Sequence, residues 1–404
     1  MPNNRNQSKA REILSLLDFK LPRFRRGDDR LAKALTIWDL REIAKRRTPQ
    51  GPFDYTDGAA ESEYSLRRAR EAFTEIQFNP RILRDVSSVD LRCEVLGNIF
   101  EMPLGLAPTG FTRMMHSAGE SAVARAASKF GIPFSLSTLG TTAIEEIMAA
   151  APQGTNWFQL YMWKDRSASI ELIKRAEKAG VKNLILTVDV PVAGARLRDS
   201  RNGLTVPPKI DLKTLINAAP RVEWWWNFLT KPSLEFASMK SWQGTVAELL
   251  DFMFDPTMTF EDLRWIRQVW SGQLTVKGIQ NVDDAKMAQR CGADAIILSN
   301  HGGRQLDRAP IPFQLLPEVR KKISKSTELH VDTGVMNGAD VIAALALGAD
   351  FVYVGRAYLY GLMAGGQEGV ERALAILQTE MVRTMKLLGV RQISELCTDH
   401  IKNI

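Results

Sequence analysis

The sequence is poor in cysteine and lacks long apolar runs. Its 404 residues include only three cysteines, Cys93, Cys291 and Cys397, whose spacing matches neither a metal site nor a redox pair. We therefore expect reduced, buried thiols and a cytoplasmic location. No stretch reaches the roughly 18 uninterrupted apolar residues of a transmembrane helix. The first apolar run is short and flanked by charge, which argues against a signal peptide.

Motifs for nucleic acids and dinucleotides are also missing. The net charge is +7, but residues 1–36 alone hold nine Lys and Arg against four Asp and Glu. Such an arm is usually solvated, so we expect no nucleic-acid partner and predict a basic, poorly ordered arm over residues 1–34. No Gly-x-Gly-x-x-Gly follows a first strand, which disfavours the alternative of a doubly wound sheet.

The composition is that of a soluble globular protein, and its apolar runs are regularly spaced. Apolar residues make up 45% and charged residues 25% of the chain. Strand-like runs alternate with segments of helical spacing at residues 104–108, 134–138, 157–161, 183–189, 274–278, 295–300, 329–334 and 351–356. Eight such units are the number in a (β/α)8 barrel. We predict this α/β fold over residues 35–404, with an N-terminal helical cap in which Thr36 is the first N-cap.

Polar and glycine residues stand at the ends of the predicted strands. They are Pro108, Thr109, Gly110, Ser137, Gln159, Tyr161, Thr187, Asp189, Lys277, Ser299, His301, Asp332, Gly355 and Arg356. In a (β/α)8 barrel these ends converge on one face, where active sites lie. Five strand ends carry a tyrosine, aspartate, lysine, histidine or arginine. A purely structural role is a poor explanation for so many reactive side chains, so the pattern predicts an enzyme. The turns at Asp332-Thr333-Gly334 and Gly355-Arg356 have the glycines of a phosphate cradle.

The stretch Ser299–Asp307, SNHGGRQLD, is the most reactive of these strand ends. His301 can take or give a proton near neutral pH, and Arg304 can grip a carboxylate with two parallel hydrogen bonds. Gly302 and Gly303 let the backbone turn and a ligand approach. This combination suits chemistry on the carbon next to a carboxylate. The alternative is a loop in which the histidine and arginine merely cap a helix.

One segment breaks the regular spacing. More than 80 residues separate Asp189 from the strand at 274, and four of the nine tryptophans fall between 224 and 242. A loop of this length is usually functional. We predict an insertion over residues 204–258 that is either a lid packed on the barrel or a peripheral membrane contact. In the second case Trp224, Trp225, Trp226 and Phe228 would insert into the membrane. The basic arm would supply the attraction to anionic lipid, because residues 207–256 hold only five Lys and Arg against six Asp and Glu.

Eight motifs occur in an order and spacing that resemble a known family. They are FDYTDGAAE, LAPTGF, FSLST, WFQLY, LTVDVPVAGARLRD, VKGIQ, SNHGGRQLD and VDTG…VGR. From Thr36 to the C-terminal helix the chain resembles the FMN-dependent L-2-hydroxy-acid oxidases and dehydrogenases, and among them the flavin-linked lactate dehydrogenases. The resemblance implies bound FMN, a homotetramer, and oxidation of a small L-2-hydroxy acid, foremost L-lactate to pyruvate, with electrons passed to a quinone or another non-oxygen acceptor.

Three alternatives stay open at this point. The first is an oxidase that passes electrons to oxygen, and the second is a longer or aromatic hydroxy acid as substrate. The third is a flavin barrel that has lost catalysis and acts as a sensor, against which the complete set of reactive residues argues.

Location on the inner face of the membrane is a further expectation. The C2 hydrogen could leave as hydride or as proton.

The resemblance also implies a role for each reactive residue. His301 would be the catalytic base and Asp189 the carboxylate that orients it. Tyr55 and Arg304 would bind the substrate carboxylate with Arg196 as a second arginine, although position alone favours packing for Tyr55. Tyr161 would lie near the substrate hydroxyl and Lys277 beside the flavin. The remaining cofactor contacts would be Pro108, Thr109, Gly110, Ser137, Gln159, Thr187, Ser299, Asp332, Gly334, Gly355 and Arg356, with the last three at the phosphate.

The chain departs from the family pattern at three positions. Met336 stands where the family has an arginine that holds the phosphate, so Arg356, backbone amides or cations from elsewhere would have to serve. Gly110 stands where oxidases carry alanine, which favours a slow reaction with oxygen. Leu139 replaces a bulky aromatic residue and leaves room for a methyl group or more.

Overall fold

Eight parallel strands form the centre of the protein. The computed structural model describes residues 30–203, 205–206, 220–230, 237, 244–245 and 253–402. The barrel strands, named β1 to β8, are Leu104–Thr109, Phe134–Ser137, Asn156–Tyr161, Asn183–Thr187, Gln273–Ile279, Ala295–Leu298, Glu328–Val331 and Phe351–Val354. Each strand pairs with the next, and Val352 opposite Leu104 closes the barrel. The predicted (β/α)8 fold and its eight strands are confirmed.

The strands are apolar because both of their faces are covered. Strands β2, β3, β4, β6 and β8 are buried at every residue. Large side chains such as Trp157, Phe351 and Tyr353 fill the interior. A hairpin, Cys93–Val95 and Asn98–Phe100, lies at the amino-terminal end of the barrel, where the Leu96 amide donates to Glu328 at 2.6 Å. The hairpin therefore closes the end opposite the polar strand ends.

Helices surround the barrel and cap its other end. Those described are named α1 to α14 and are Ile37–Arg47, Gln50–Asp57, Tyr64–Thr74, Thr112–Met115, Gly119–Lys129, Ile144–Ala150, Arg166–Lys178, Leu197–Arg201, Val222–Thr230, Phe260–Val269, Val282–Arg290, Pro312–Arg320, Gly338–Ala346 and Arg356–Leu388. Short 3-10 turns lie at His301–Gly303, Ile393–Glu395 and Thr398–His400. Two further short strand pairs join Gln77–Phe78 to Ile401–Lys402 and Thr205–Val206 to Gly244–Thr245.

The N-terminal cap is built as the sequence predicts. Thr36 begins α1 with a capping box, in which its hydroxyl accepts from the Asp39 amide and the Asp39 carboxylate accepts from the Thr36 amide. Helix α1 packs along α14. Helix α3 is the third helix of the cap. Asp307, just after the His301 turn, accepts hydrogen bonds from Ser62 and Ser65 at the start of α3, so the cap is tied to the strand ends.

Two expectations need correction and one lies mainly beyond the described residues. Residues 30–34 belong to the folded body rather than to the arm, because Leu31 and Ala34 are buried and Arg372 donates to the Ala34 carbonyl at 2.7 Å. Residues 1–29 are outside the described part. The thiols are free, but Cys397 is exposed rather than buried. Most of the insertion at 204–258 is also outside the described residues.

Within the described residues, no helix is both long and apolar enough to cross a membrane.

Candidate active site

A cavity of about 710 Å³ opens at the carboxyl ends of the barrel strands. The predicted site residues that line it are Tyr55, Pro108, Thr109, Gly110, Tyr161, Arg196, Lys277, His301, Arg304, Asp332, Gly334, Gly355 and Arg356. Five others, Ser137, Gln159, Thr187, Asp189 and Ser299, do not line the cavity surface. Their side chains are buried at the strand ends. The fold therefore brings the predicted residues from the cap and from all eight strands into one region.

His301 and Asp189 form a hydrogen-bonded pair. His301 follows β6, and its Nδ1 lies 3.0 Å from Oδ1 of Asp189, which follows β4. Burial acts to raise the pKa of the Asp189 carboxyl, but the hydrogen-bonded His301, the charge of Lys277 and a backbone hydrogen bond together outweigh burial, and the pKa is lowered. Burial lowers the pKa of His301 in spite of Asp189. The carboxylate is therefore ionised and the imidazole neutral near pH 7, the form that can accept a proton.

The loop that carries His301 has a left-handed backbone over three residues. The φ angle is 60° at His301, 65° at Gly302 and 73° at Gly303. Glycine adopts this conformation at little cost, whereas histidine does not. A Cβ on Gly303 would lie 2.9 Å from the backbone nitrogen of Leu66 in α3. The following helix α12 has Ile311 as N-cap, so His301 and Arg304 do not cap that helix.

Two arginines without a carboxylate partner lie on the same cavity. Nη1 of Arg304 donates to the carbonyls of Gly58, at 3.1 Å, and Tyr55, and its Nη2 is buried without a partner among the described residues. Nη2 of Arg196 lies 3.4 Å from Gln305 Oε1, and burial, with the nearby charge of Arg304, lowers its pKa. Neither guanidinium forms an ion pair within the described ranges. Two such cations form a binding site for an anion such as a carboxylate.

Tyr161 and Tyr55 border the space between these groups. The hydroxyl of Tyr161 is 3.4 Å from His301 Nε2, and burial, together with Asp189, raises its pKa. The hydroxyl therefore stays protonated at neutral pH and can donate a hydrogen bond. The ring of Tyr55 lies 4.7 Å from the guanidinium carbon of Arg304. Tyr55 thus belongs to the site, and packing alone does not account for it.

Lys277 places a positive charge on the floor of the cavity. Its Nζ lies 2.9 Å from Ser299 Oγ and 3.1 Å from Asp332 Oδ2. Burial opposes the charged form, but Asp332 and Asp189 outweigh burial, and the pKa of Lys277 is raised. The ammonium group therefore stays charged although its side chain is only 6% exposed.

The donors left over at the strand ends fit a flavin mononucleotide. Nε2 of Gln159 and Oγ1 of Thr187 are buried without a hydrogen-bond partner in the described part of the chain. Buried polar atoms are almost always paired, so both indicate a polar ligand. The turn at Gly334 has φ 86°, and a Cβ there would lie 2.8 Å from the Ala69 carbonyl. With Gly355 and Arg356 this turn fits the phosphate, and Lys277 fits the ring.

The sequence did not single out several residues that the structure places at the cavity. Met115 and Phe254 form part of its wall, and the ring of Phe254 lies 5.0 Å from that of Tyr161. Arg198, two residues after Arg196, binds Asp57 at 3.1 Å and Glu63 at 2.6 Å and so ties this segment to the cap. Arg198 lies within the motif LTVDVPVAGARLRD, but its role, like those of Met115 and Phe254, depends on contacts with distant parts of the chain.

These features define a flavin-dependent (β/α)8 oxidoreductase, and the comparisons identify its family. The chain belongs to the FMN-dependent dehydrogenases, whose family model matches residues 44–403. The predicted family and cofactor are thereby confirmed.

Three relatives show how far the similarity extends. A Mycobacterium tuberculosis protein, provisionally named an L-lactate dehydrogenase, is 55% identical over 404 residues, 100% of this chain and 98% of its own. The L-lactate dehydrogenase of Xanthomonas campestris is 39% identical over 374 residues, 91% of this chain and 96% of its own. The crystal structure of the monotopic membrane protein (S)-mandelate dehydrogenase superposes with a TM-score of 0.87 at 36% identity, covering 92% of this chain and 100% of that one.

Proposed function

We propose that the protein oxidises L-lactate to pyruvate and passes the electrons to a quinone or another acceptor that is not oxygen. The observation that carries the proposal is the neutral His301, held by Asp189 at 3.0 Å, on the same cavity as two arginines that have no carboxylate partner among the described residues. A proton acceptor next to a carboxylate site suits a 2-hydroxy acid. Relatives named L-lactate dehydrogenase support lactate as the substrate.

The proposed roles follow from the positions of the side chains. Arg304 binds the substrate carboxylate with Tyr55, and Arg196 provides a second cation. The hydroxyl on C2 then faces Nε2 of His301, since Nδ1 is held by Asp189. His301 accepts the hydroxyl proton, and Asp189 stabilises the imidazolium that forms. Fixing the carboxylate and the proton acceptor together orients C2 for reaction.

Electron transfer completes the proposed reaction. FMN, when bound, would supply the acceptor for the C2 hydrogen and the electron pair of the C2–H bond, while the hydroxyl proton goes to His301. Lys277 keeps a positive charge where negative charge develops in the reaction. Gln159 and Thr187 have unused donors for the cofactor, and Tyr161 stabilises the substrate oxygen as the carbonyl of pyruvate forms.

The wall of the cavity favours a small substituent on C2. Leu139, Met115 and Phe254 are buried and line this region. Leu139 also packs against Gly110, where a Cβ would lie 2.8 Å from the Leu139 Cβ. Glycine at this position therefore follows from the close approach of Leu139.

Anaerobic mixing with L-lactate, D-lactate, glycolate and L-mandelate tests the substrate. We expect L-lactate to bleach the flavin absorbance fastest, because its methyl group fills the space beside Leu139. D-lactate should leave the flavin oxidised, since its hydroxyl cannot reach His301 while its carboxylate is held. Faster bleaching by L-mandelate would replace lactate with an aromatic hydroxy acid. Re-admitting air or a soluble quinone then compares the two acceptors, and rapid recovery in air alone would indicate an oxidase.

In the described part of the insertion, Trp224 and Trp226 have different surroundings. The Trp224 indole donates to the Met114 carbonyl at 3.0 Å, and Glu223 forms an ion pair with Arg47. Helix α9 is thus attached to α4 and to the cap, as a lid would be, and the Trp224 indole supports the lid interpretation. Val222 and Trp226, in contrast, are 72% and 69% exposed. The described residues do not include the Phe228 side chain or the arm at 1–29.

We further propose a peripheral membrane contact through Val222 and Trp226. They stand one helical turn apart and form one apolar face, and tryptophan is favoured at the lipid–water boundary. A quinone acceptor would lie in the same membrane. In this proposal the protein is a cytoplasmic homotetramer that attaches to the inner face of the membrane, with its basic arm steering.

Co-sedimentation with anionic liposomes tests the membrane contact. We expect the parent to pellet at low salt, and Val222→Ser/Trp226→Ser and a chain starting at Arg30 to pellet less. Leu306→Ser is a matched control, because Leu306 is 66% exposed outside α9. If all proteins stay in the supernatant, the membrane contact is refuted and the lid interpretation remains.

A further inference from the structure

The phosphate end of the cavity lacks the cation that the family pattern places there. Met336 occupies that position, and its side chain is apolar and 5% exposed. The Met336 amide is also engaged, since it donates to Asp340 Oδ2 at 2.8 Å. This residue therefore offers neither a charge nor a free donor to a phosphate.

Arg356 alone is a weak counterion for a phosphate monoester. Its Nε donates to the Thr56 carbonyl at 2.9 Å and its Nη2 to the Gly58 carbonyl at 2.7 Å, which leaves the two N–H groups of Nη1 and one of Nη2. Burial lowers the pKa of Arg356 to about 10, so the group is still charged at pH 7 and supplies a single positive charge. A phosphate monoester carries a charge of about −1.5 to −2 at pH 7. A second cation at this end would balance the charge.

Arg70 of α3 lies where that second cation is needed. Its Nη1 donates to the Gly334 carbonyl and to Asp340 Oδ2, so the guanidinium sits against the same turn that carries Met336. Arg70 lines the cavity together with Met336 and Arg356. Among the described residues its Nε and Nη2 have no partner, and the side chain is 21% exposed. Two donors are thus available on the cavity side of the turn.

We infer that Arg70 binds the FMN phosphate and, with Arg356, replaces the arginine that Met336 displaced. The contact with Asp340 sets the position of the guanidinium, as a carboxylate commonly fixes the orientation of an arginine. Arg67 also lines the cavity, but its Nη1 donates to the Ser62 carbonyl at 2.9 Å and the residue is exposed. The inference rests on FMN as the cofactor and is independent of the hydroxy acid that is oxidised.

Comparing FMN with riboflavin isolates the phosphate. The apoprotein of Arg70→Gln is titrated with each ligand, and binding is followed by quenching of flavin fluorescence. We expect the dissociation constant for FMN to rise about 10- to 100-fold, the usual effect of losing a hydrogen bond to a charged group. Riboflavin, which has no phosphate, should bind as it does to the parent.

Two further variants serve as control and rescue. Arg68→Gln removes an arginine of the same helix that does not line the cavity and pairs with Glu71 and Glu75, and it should leave both constants unchanged. Arg70→Gln/Met336→Arg returns a cation to the turn and should recover most of the FMN affinity while riboflavin binding stays constant.

The other outcomes decide against the inference. An equal loss of FMN and riboflavin would mean that Arg70 only supports the Gly334 turn, and unchanged FMN binding would show that it does not reach the phosphate. Should Arg70→Gln be insoluble, Arg70→Lys keeps the charge but loses the planar fork. Its ratio of FMN to riboflavin affinity then decides in the same way.

Discussion

Replacing His301 with glutamine is expected to slow reduction of the flavin by L-lactate about 10²- to 10⁴-fold or more, the usual effect of losing a general base. The amide cannot take up the hydroxyl proton, and it has no charged form for Asp189 to stabilise. Stopped-flow absorbance of the flavin under anaerobic conditions measures the rate. FMN should remain bound, since His301 is not among the proposed cofactor contacts.

Two controls accompany this variant. Dithionite should reduce the flavin of His301→Gln as fast as that of the parent, because it needs no protein base. In the parent the rate should hold at the ordinary histidine pKa near 6.5 and fall only at lower pH, since burial lowers the pKa of His301. Reduction by lactate at the parental rate in the variant would remove His301 from the role of base.

Changing Arg304 is expected to have the second largest effect. Arg304→Lys should lower kcat/KM about 10- to 100-fold. Lysine carries its charge at a single point, so one of the arginine's two parallel hydrogen bonds to the carboxylate is lost, and each is worth about 1.5–3 kcal/mol to a charged group. Arg304→Met removes both and should lower kcat/KM by about 10³-fold or more. The loss should affect both KM and kcat, since the arginine holds C2 in place.

A neighbouring arginine provides the matched control for these variants. Arg308 lies on the same loop and is exposed, so Arg308→Met should retain parental kinetics. Flavin content and thermal unfolding of all variants should match those of the parent. Equal kcat/KM in the parent, Arg304→Lys and Arg304→Met would show that the substrate carboxylate binds elsewhere, with Arg196 as the next candidate.

The helical cap shows both the success and the limit of reading the sequence. Thr36 was predicted as the N-cap of α1, and its capping box is present, because capping depends on residues three positions apart. The boundary at residue 34 was placed too late. Leu31 is buried because it packs against Gly365 of α14, a contact that no local pattern can reveal.

The insertion shows a different limit. Its length and its tryptophans indicated a functional segment, and on these grounds Trp224 and Trp226 are equivalent. In the structure one indole is bonded to the barrel and the other is exposed. The direction of each side chain from α9 depends on how the helix rests on α4, and that placement includes contacts with distant residues such as Arg47.

The sequence by itself determined the fold and the chemical groups of the site. Eight apolar runs separated by helical segments can be connected into a sheet in only a few topologies. In a barrel of parallel strands, the loops that follow the strands lie at one face. For that reason the reactive residues at the strand ends could be named from the sequence.

Only the tertiary structure decided which of these groups contact one another and in which direction their pKa values shift. His301 contacts Asp189 across 112 positions of the chain, and Arg70 reaches the Gly334 turn across 264 positions. Burial holds His301 neutral while Lys277 stays charged, although both groups lie near Asp189. These contacts and pKa shifts depend on the distances between side chains and on exclusion of water. Both arise when the cap covers the strand ends, and no local sequence pattern contains them.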